Sequence, residues 1–508
     1  MANVVAAYPL TINRISDMTL DCFEEIAWRL RPVAFHEEAL ARMADCRRAF
    51  IDLLDHDPDL VVYGVTSGYG QNAHRRLNFD ERKAHARAVT LAPATGFGKA
   101  LPARVVRGIL LARLTNFVEG HSAISPGLAK EVATMLDGRP LPAVACEGHG
   151  GAGEIQPLTA LFADLIESYP LAEKDLLCLI NGSPCASALL SDAVLVGRRR
   201  LALAGAVFAL SIEALKAPLG AYDEALEMLW GDADEANMLK ALRAWVEGGA
   251  VDRRPYQAPV SWRILPRILG QAARALRQAE EAAGIALRAV TDNPVFLPPE
   301  KARPKGRVIS TGGYHNAAVC PALDQLAASW ADLSLLADRQ ISKLLDGAIS
   351  LLPHQLMPPA GSTAEPGPYL GCLGMAAVGY VEQARHAAQR TFLPASEGGG
   401  FGANDIGQPT FMAWQKENVA GHCVIANLAI LAAVASQALY ITGRVAPPAL
   451  ANLVELVREK FPPVLDNHRR LGRDAERLTE SFNKLVIAER IIAPGTALGD
   501  PGGVDQGV

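Results

Sequence analysis

A chain of 508 residues with 50% hydrophobic and 20% charged side chains is not wholly disordered, and it is long enough for several domains or one large core. Aromatics are only 6%, so Ala, Leu, Val and Ile must fill the interior, which favours close helix packing over a β-sandwich. The net charge of −5 is small for this length and gives no reason to expect a nucleic-acid surface.

Residues 14–55 carry helical periodicity and lead into the apolar Leu60-Val61-Val62. A Gly-punctuated loop over 61–75 follows, containing Tyr63-Gly64-Val65-Thr66-Ser67-Gly68-Tyr69-Gly70. Helical patterns resume over 80–136, broken near Gly96, Gly98 and Pro102. After a Gly run at 148–153, Glu154 to Tyr169 reads as a helix. Long amphipathic helices are predicted at 186–218, 222–247, 265–290, 318–352, 372–392, 412–441 and 448–486. Strand signals are few. The expected architecture is mostly α: a loop-rich N-terminal domain over 1–205, then a helical bundle over 206–508. Ala-rich faces on such helices pack well against copies of themselves, so a homo-oligomer is expected.

The eight cysteines are irregularly spaced and form no CxxC, and the eleven histidines show no HExxH or His-x-His spacing. Free thiols in a reducing, cytoplasmic compartment are expected, without a metal site. The N-terminal residues lack the basic and apolar regions of a signal peptide. Cys423 to Ile441 carries no formal charge, but Asn427, Ser436 and Gln437 interrupt it, so a buried helix is expected and no membrane partner.

Gly148-His149-Gly150-Gly151-Ala152-Gly153 matches GxGxxG. A dinucleotide fold also needs repeated βα units and an acidic residue closing a second strand, and neither follows here. The bland reading is a tight turn before a helix N-terminus, where backbone N–H groups favour an electron-rich ligand. Tyr63, heading a glycine loop, is either a gated acid or base or an aromatic anchor. Arg263 in Pro259-Val260-Ser261-Trp262-Arg263 is either a carboxylate clamp or half of a structural ion pair. Gln257, Asn181-Gly182-Ser183, Asp292-Asn293-Pro294, Gly312-Gly313-Tyr314-His315 and Asn404-Asp405 are polar clusters that could equally be turns or caps.

Together these stretches resemble the aromatic amino acid lyases: the histidine, phenylalanine and tyrosine ammonia-lyases and related aminomutases. Residues 63–70 resemble the family's YGVNTGFG loop, whose Tyr is the catalytic base, and so imply that role for Tyr63. Ile180-Asn181-Gly182-Ser183 matches LxNGT, Thr291-Asp292-Asn293-Pro294 matches TDNP, and Gly312-Gly313-Tyr314-His315 resembles the GNFH of histidine-specific members. Gln257 to Pro266 resembles QDxYSLRCxP, which places Arg263 on the carboxylate-binding arginine. The resemblance implies the histidine ammonia-lyase-like fold and a homotetramer with active sites shared between chains.

The departures carry as much information. The family cyclises Ala-Ser-Gly within GASGDLAPL into 4-methylideneimidazol-5-one, its electrophile. Here the tripeptide is Gly151-Ala152-Gly153, and an alanine has no hydroxyl to lose, so the prosthetic group is not expected. The Tyr of QDxYS is Val260, and the Ser-His pair of the ring pocket is Ala92-Pro93. Asn404-Asp405-Ile406 stands at NQE/NQD, where a one-residue gap places Asp405 on the acid.

Without the electrophile, elimination needs a leaving group that departs unaided or a more acidic β-proton. A histidine-derived betaine such as ergothioneine has both, and ergothionase removes trimethylamine from it. The resemblance therefore implies an ergothionase-like carbon–nitrogen lyase acting on a small aromatic or imidazole amino acid derivative. Tyr63 would be the base, Arg263 the clamp, and Asp405 or Glu382 the ring polariser. Asn181, Gln257, Tyr314, His315, Asn404, Tyr69, Gly70, Ala92 and Pro93 would contact substrate, with Tyr69 or Tyr314 against the ammonium. The alternatives are another lyase or cyclase, a non-catalytic relative, and an engineered Ser-to-Ala ammonia-lyase.

Overall fold

In the computed structural model, which describes residues 8–88, 90–357, 370–396, 402–465 and 469–487, the Ala- and Leu-rich stretches form long helices. The longest are Pro184–Leu215, Leu265–Leu287, Val319–Leu345 and Thr410–Ile441. Aliphatic residues fill Pro184–Leu215 and Thr410–Ile441 on most sides because most sides are buried, whereas Leu265–Leu287 keeps a charged, exposed face. Thr410–Ile441 is long and apolar enough to cross a membrane, yet 89% of its apolar window is buried within the protein. Two of its polar side chains bond internally. The Asn427 amide donates to Ser334 Oγ at 2.8 Å, and Gln437 exchanges hydrogen bonds with the Val464 backbone, both at 2.9 Å.

Several expected helices are divided where the backbone cannot continue. The stretch 222–247 becomes Ala225–Trp230 and Ala233–Val246, separated by Gly231 at φ +65°. The stretch 448–486 becomes Ala451–Lys460 and Leu471–Ile487, with Pro462 and Pro463 between them; residues 466–468 lie outside the described residues. The stretch 14–55 contains Leu20–Phe23, a π-turn at Glu24–Trp28, a strand at Val33–Phe35 and the helix Glu37–His56. Among the described residues the strands form two small two-stranded sheets. One pairs Leu10–Ile12 with Val33–Phe35 in parallel, and the other pairs Val295–Leu297 with Arg307–Ile309 antiparallel. The βα repeats of a dinucleotide fold are absent among these residues.

The chain divides into two units, each built from three segments. The first comprises residues 1–194, 279–323 and 390–415, and the second comprises 195–278, 324–389 and 416–508. This differs from a single boundary at 205/206. Four of the five changes of unit fall inside long helices, where no shift in composition marks them, and the fifth, at 389/390, follows the end of Cys372–Ala387.

In the first unit, Phe50, Leu53, Leu54, Val62, Val65, Ala123, Leu177 and Phe296 form a buried cluster. Beside it runs a buried polar layer. Lys174 Nζ meets Asp292 Oδ2 at 2.9 Å with both side chains fully buried. Thr291 N donates to Asn116 Oδ1 at 2.7 Å, and Ser183 N donates to Thr291 Oγ1 at 2.9 Å. Breaking one partner of such a buried ion pair typically costs about 3–5 kcal/mol. In the second unit, Arg200 Nη1 and Trp330 Nε1 both donate to buried Glu417 Oε1 at 2.7 Å.

Candidate active site

The Tyr63 loop owes its shape to the residues flanking the tyrosine. Val62 and Val65 insert into the apolar cluster, while Val65 N and Thr66 N both donate to Val62 O at 3.0 Å. Thr66 Oγ1 accepts from Val62 N at 2.8 Å and donates to Leu60 O at 2.6 Å. Gly64 turns the chain at φ +65°, and a Cβ there would stand 2.8 Å from Leu177. Tyr63 is thus held half-buried between two anchored valines. Gly70 N donates to its phenol oxygen at 3.1 Å, and Gly70 itself sits at φ +57°.

Tyr63 opens onto a cavity of about 270 Å³. Ala152 and Gly153 form part of its wall, with Asn181, Asn293, Tyr314 and Asn404 around it. The walls come from separate parts of the sequence, and hydrogen bonds fix them to one another. Asn181 Nδ2 donates to Asn293 O at 2.5 Å, and Asn293 Oδ1 accepts from Thr311 N at 2.8 Å. Gln408 N donates to Gly151 O at 3.3 Å, and the Gln408 amide donates to Tyr314 O. Gly407 lies so near Gly150 that a Cβ would come within 2.6 Å of its carbonyl oxygen.

Glu154, at the same wall, is 3% exposed. Its oxygens accept from Cys185 N at 2.6 Å and Ala186 N at 2.7 Å, the first turn of Pro184–Leu215. Burial pushes its carboxyl up to about 7, against the pull of these two amides and of Arg113. Arg113 is fully buried and donates to the carbonyls of Leu179 and Asn181, while burial lowers its own pKa.

The structure therefore brings together Tyr63, Ala152, Gly153, Asn181, Tyr314 and Asn404. It does not bring the other expected residues to the cavity wall. Tyr69 stacks on His85 with centroids 4.8 Å apart, and burial followed by the charge of Tyr63 raises its phenol pKa. Gly70 acts through its amide, and Gly151 sits one residue outside the lining. Ala92 is exposed and Pro93 half-buried, neither in the lining. His315 is half-buried, and its Nε2 is buried without a hydrogen-bond partner among the described residues. Asp405 is exposed and outside the lining, although Asn404 beside it is part of it.

Gln257, Arg263 and Glu382 belong to the second unit. Gln257 and Arg263 are exposed, with Arg263 Nε donating to Ala258 O at 3.1 Å. Glu382 is exposed and pairs with Arg385 at 3.2 Å. The sequence reading missed Glu154, Ser310 and Gln408, and it named Asn293 only as part of the TDNP match. Glu154 follows the glycine run directly and could have been found as an acid at a helix entry, whereas Gln408 has no local signal. Among the described residues, no group of three or more His, Cys, Asp or Glu side chains could hold a metal ion.

The family model for aromatic amino acid lyases matches residues 18–168 and 159–459. The chain belongs to the aromatic amino acid lyase family. The histidine ammonia-lyase of Symbiobacterium thermophilum is 28% identical over 469 residues, covering 85% of this chain and 89% of its own. That of Paracidovorax citrulli is 27% identical over 386 residues, covering 70% and 74%. Among solved structures, the ergothioneine-degrading ergothionase of Treponema denticola superposes with a TM-score of 0.82 at 19% identity, covering 96% of this chain and 99% of its own. The phenylalanine aminomutase of Pantoea agglomerans gives 0.83 at 20% identity, covering 94% and 100%. The fold of this aromatic amino acid lyase is thus the histidine ammonia-lyase fold.

The family's electrophile requires a serine hydroxyl in the cyclising tripeptide. Gly151-Ala152-Gly153 has none, so these residues do not fit that group.

Proposed function

We propose that this lyase eliminates an activated amine without the family's electrophile, and that a histidine-derived betaine such as ergothioneine is its substrate. The observation that carries this reading is the pairing of Ala152 with Tyr63 on one cavity: the base position is kept where the electrophile's hydroxyl is missing. The likeness to ergothionase in fold supports it.

In the proposed step the deprotonated Tyr63 oxygen removes the β-proton of the substrate. The Cβ–H electron pair becomes the Cα=Cβ bond as the Cα–N bond breaks. Trimethylamine leaves as a neutral molecule carrying the former bond pair, so it needs no prior alkylation. The Gly70 amide is a donor suited to the phenol oxygen while it carries charge. Asn181 and Tyr314 line the path of the substrate. General-base catalysis supplies about 10²–10⁴-fold, and positioning must supply the remainder.

Arg263 fits the carboxylate clamp if a neighbouring copy of the chain donates it. It is exposed and has no ion pair among the described residues, and apolar Tyr256 and Val260 beside it are 75% and 56% exposed, as befits a surface covered in a homotetramer. The ring polariser is assigned to Asp405, one residue beyond lining Asn404, or to Glu382 from such a copy.

The test incubates the full chain with ergothioneine and follows trimethylamine and the thiol-urocanate chromophore. Absence of both products from the wild-type protein overturns the substrate assignment. An intact mass equal to that of the linear sequence is expected, and a loss of water located at residues 151–153 overturns the cofactor-free reading.

A further inference from the structure

The cavity has a distinctive charge pattern. Among the described residues that line it, Glu154 alone carries a carboxyl, and no lysine, arginine or histidine shares the wall. Tyr63 and Tyr314 supply two aromatic rings, and the remaining polarity comes from neutral amides and a hydroxyl. We infer that Glu154 is a specificity-determining residue that gives the cavity a negative pole and selects a cationic, quaternary-ammonium-bearing ligand over its uncharged isostere.

A quaternary ammonium is large, weakly hydrated and unable to donate a hydrogen bond. It is held by aromatic faces and by a fixed negative charge that need not touch it. Glu154 suits the second part of that task. Its oxygens are already engaged by Cys185 N and Ala186 N, so the carboxylate cannot swing out to form a close ion pair, yet its charge stays at the wall. The first turn of Pro184–Leu215 is what keeps an anion tolerable at this depth.

The surrounding ionisable groups do not cancel that charge at the cavity. Burial, with Glu154 beside it, raises the Cys185 thiol well above its ordinary value and so keeps it neutral. Arg113 is cationic but engages the carbonyls of Leu179 and Asn181 and does not line the cavity. A substrate carboxylate would be repelled from this wall and must point away from Glu154, toward the place where a clamp from another copy would enter.

Because burial raises Glu154 to about 7, the empty cavity is partly protonated at neutral pH. A bound cation favours the carboxylate, so binding releases a proton and tightens as pH rises. If the cation binds only the ionised form, its affinity rises about tenfold between pH 6 and pH 8. This inference rests on the reading of the cavity as the substrate site, but it requires no turnover.

The experiment measures binding of choline and of its neutral isostere 3,3-dimethylbutan-1-ol to the full chain by calorimetry at pH 6, 7 and 8. The expected result is a choline preference that grows about tenfold across this range, with proton release seen by repeating the titration in buffers of different ionisation enthalpy. Glu154→Gln should lose the preference and its pH dependence. Glu154→Asp, which keeps the charge, should retain both, and the wild-type series stands even if the Gln variant does not fold. Equal binding of the two ligands by the wild type, no binding of either, or an unchanged preference in Glu154→Gln each overturns the inference. Tyr63→Phe should keep the preference, so loss of elimination and loss of cation selection are separate results.

Discussion

Two glycine-rich segments face the same cavity and have met different fates. The loop around Tyr63 keeps its reactive side chain, and its neighbours Val62 and Val65 exist in the fold largely to aim it. The segment from Gly150 to Glu154 keeps its backbone setting, with Gly407 packed against Gly150 and Glu154 tied to the start of Pro184–Leu215. What it lacks is a single hydroxyl at Ala152. Holding a loop in place and giving it chemistry are thus separable demands: the first rests on packing and hydrogen bonds, the second on one hydroxyl.

That contrast can be broken first at its reactive end. Tyr63→Phe removes the base but leaves both anchoring valines in place. Ergothioneine elimination should fall about 10²–10⁴-fold while the melting temperature stays near that of the wild type. Full activity in this variant sinks the base assignment. The layer supporting the other side of the cavity should behave in the opposite way. Asp292→Ala leaves Lys174 buried without its carboxylate and should cost about 3–5 kcal/mol in denaturant unfolding.

A pH titration of stability sharpens the same comparison at Glu154. Its folded pKa stands above the ordinary value of 4.5, at about 7, so the folded chain holds the proton more tightly than the unfolded one. The resulting stabilisation is fully present below pH 4.5 and is lost as pH rises to about 7. Relative to Glu154→Gln, the wild type should lose about 3 kcal/mol across that window. A flat difference between the two proteins argues against the buried carboxyl as drawn. The smallest effect is expected at Gly70→Ala. No atom lies within 4 Å of an added Cβ, so the penalty is only the left-handed backbone, about 1 kcal/mol in the unfolding free energy. Its larger trace should be in kcat, through displacement of the amide that holds Tyr63 Oη.

Much of this was legible in the sequence, and for physical reasons. Thr410–Ile441 and Leu265–Leu287 were visible because a long helix repeats its pattern over many turns. The π-turn at Glu24–Trp28 was not, since its pattern differs from an α-helix by one residue in a single turn. Tyr63, Asn181 and Tyr314 were found because each sits in a motif with its own glycine. Gln408 was missed because its importance arises only when Gly151 and Tyr314 are brought beside it by the fold. Arg263 was read from a motif, which carries no information about which unit, or which copy, a side chain serves, and Glu382 had no motif of its own.

The cavity draws on Tyr63 near one end of the chain and Asn404 far along it, with Ala152, Asn181, Asn293 and Tyr314 between. No shorter stretch contains a complete wall. During synthesis at about 5–20 residues per second, a ribosome would need roughly 20–80 s to reach Asn404, and until then the cavity lacks part of its wall. The cavity wall is therefore complete only once Asn404 has been made, and a stop before that residue removes part of it.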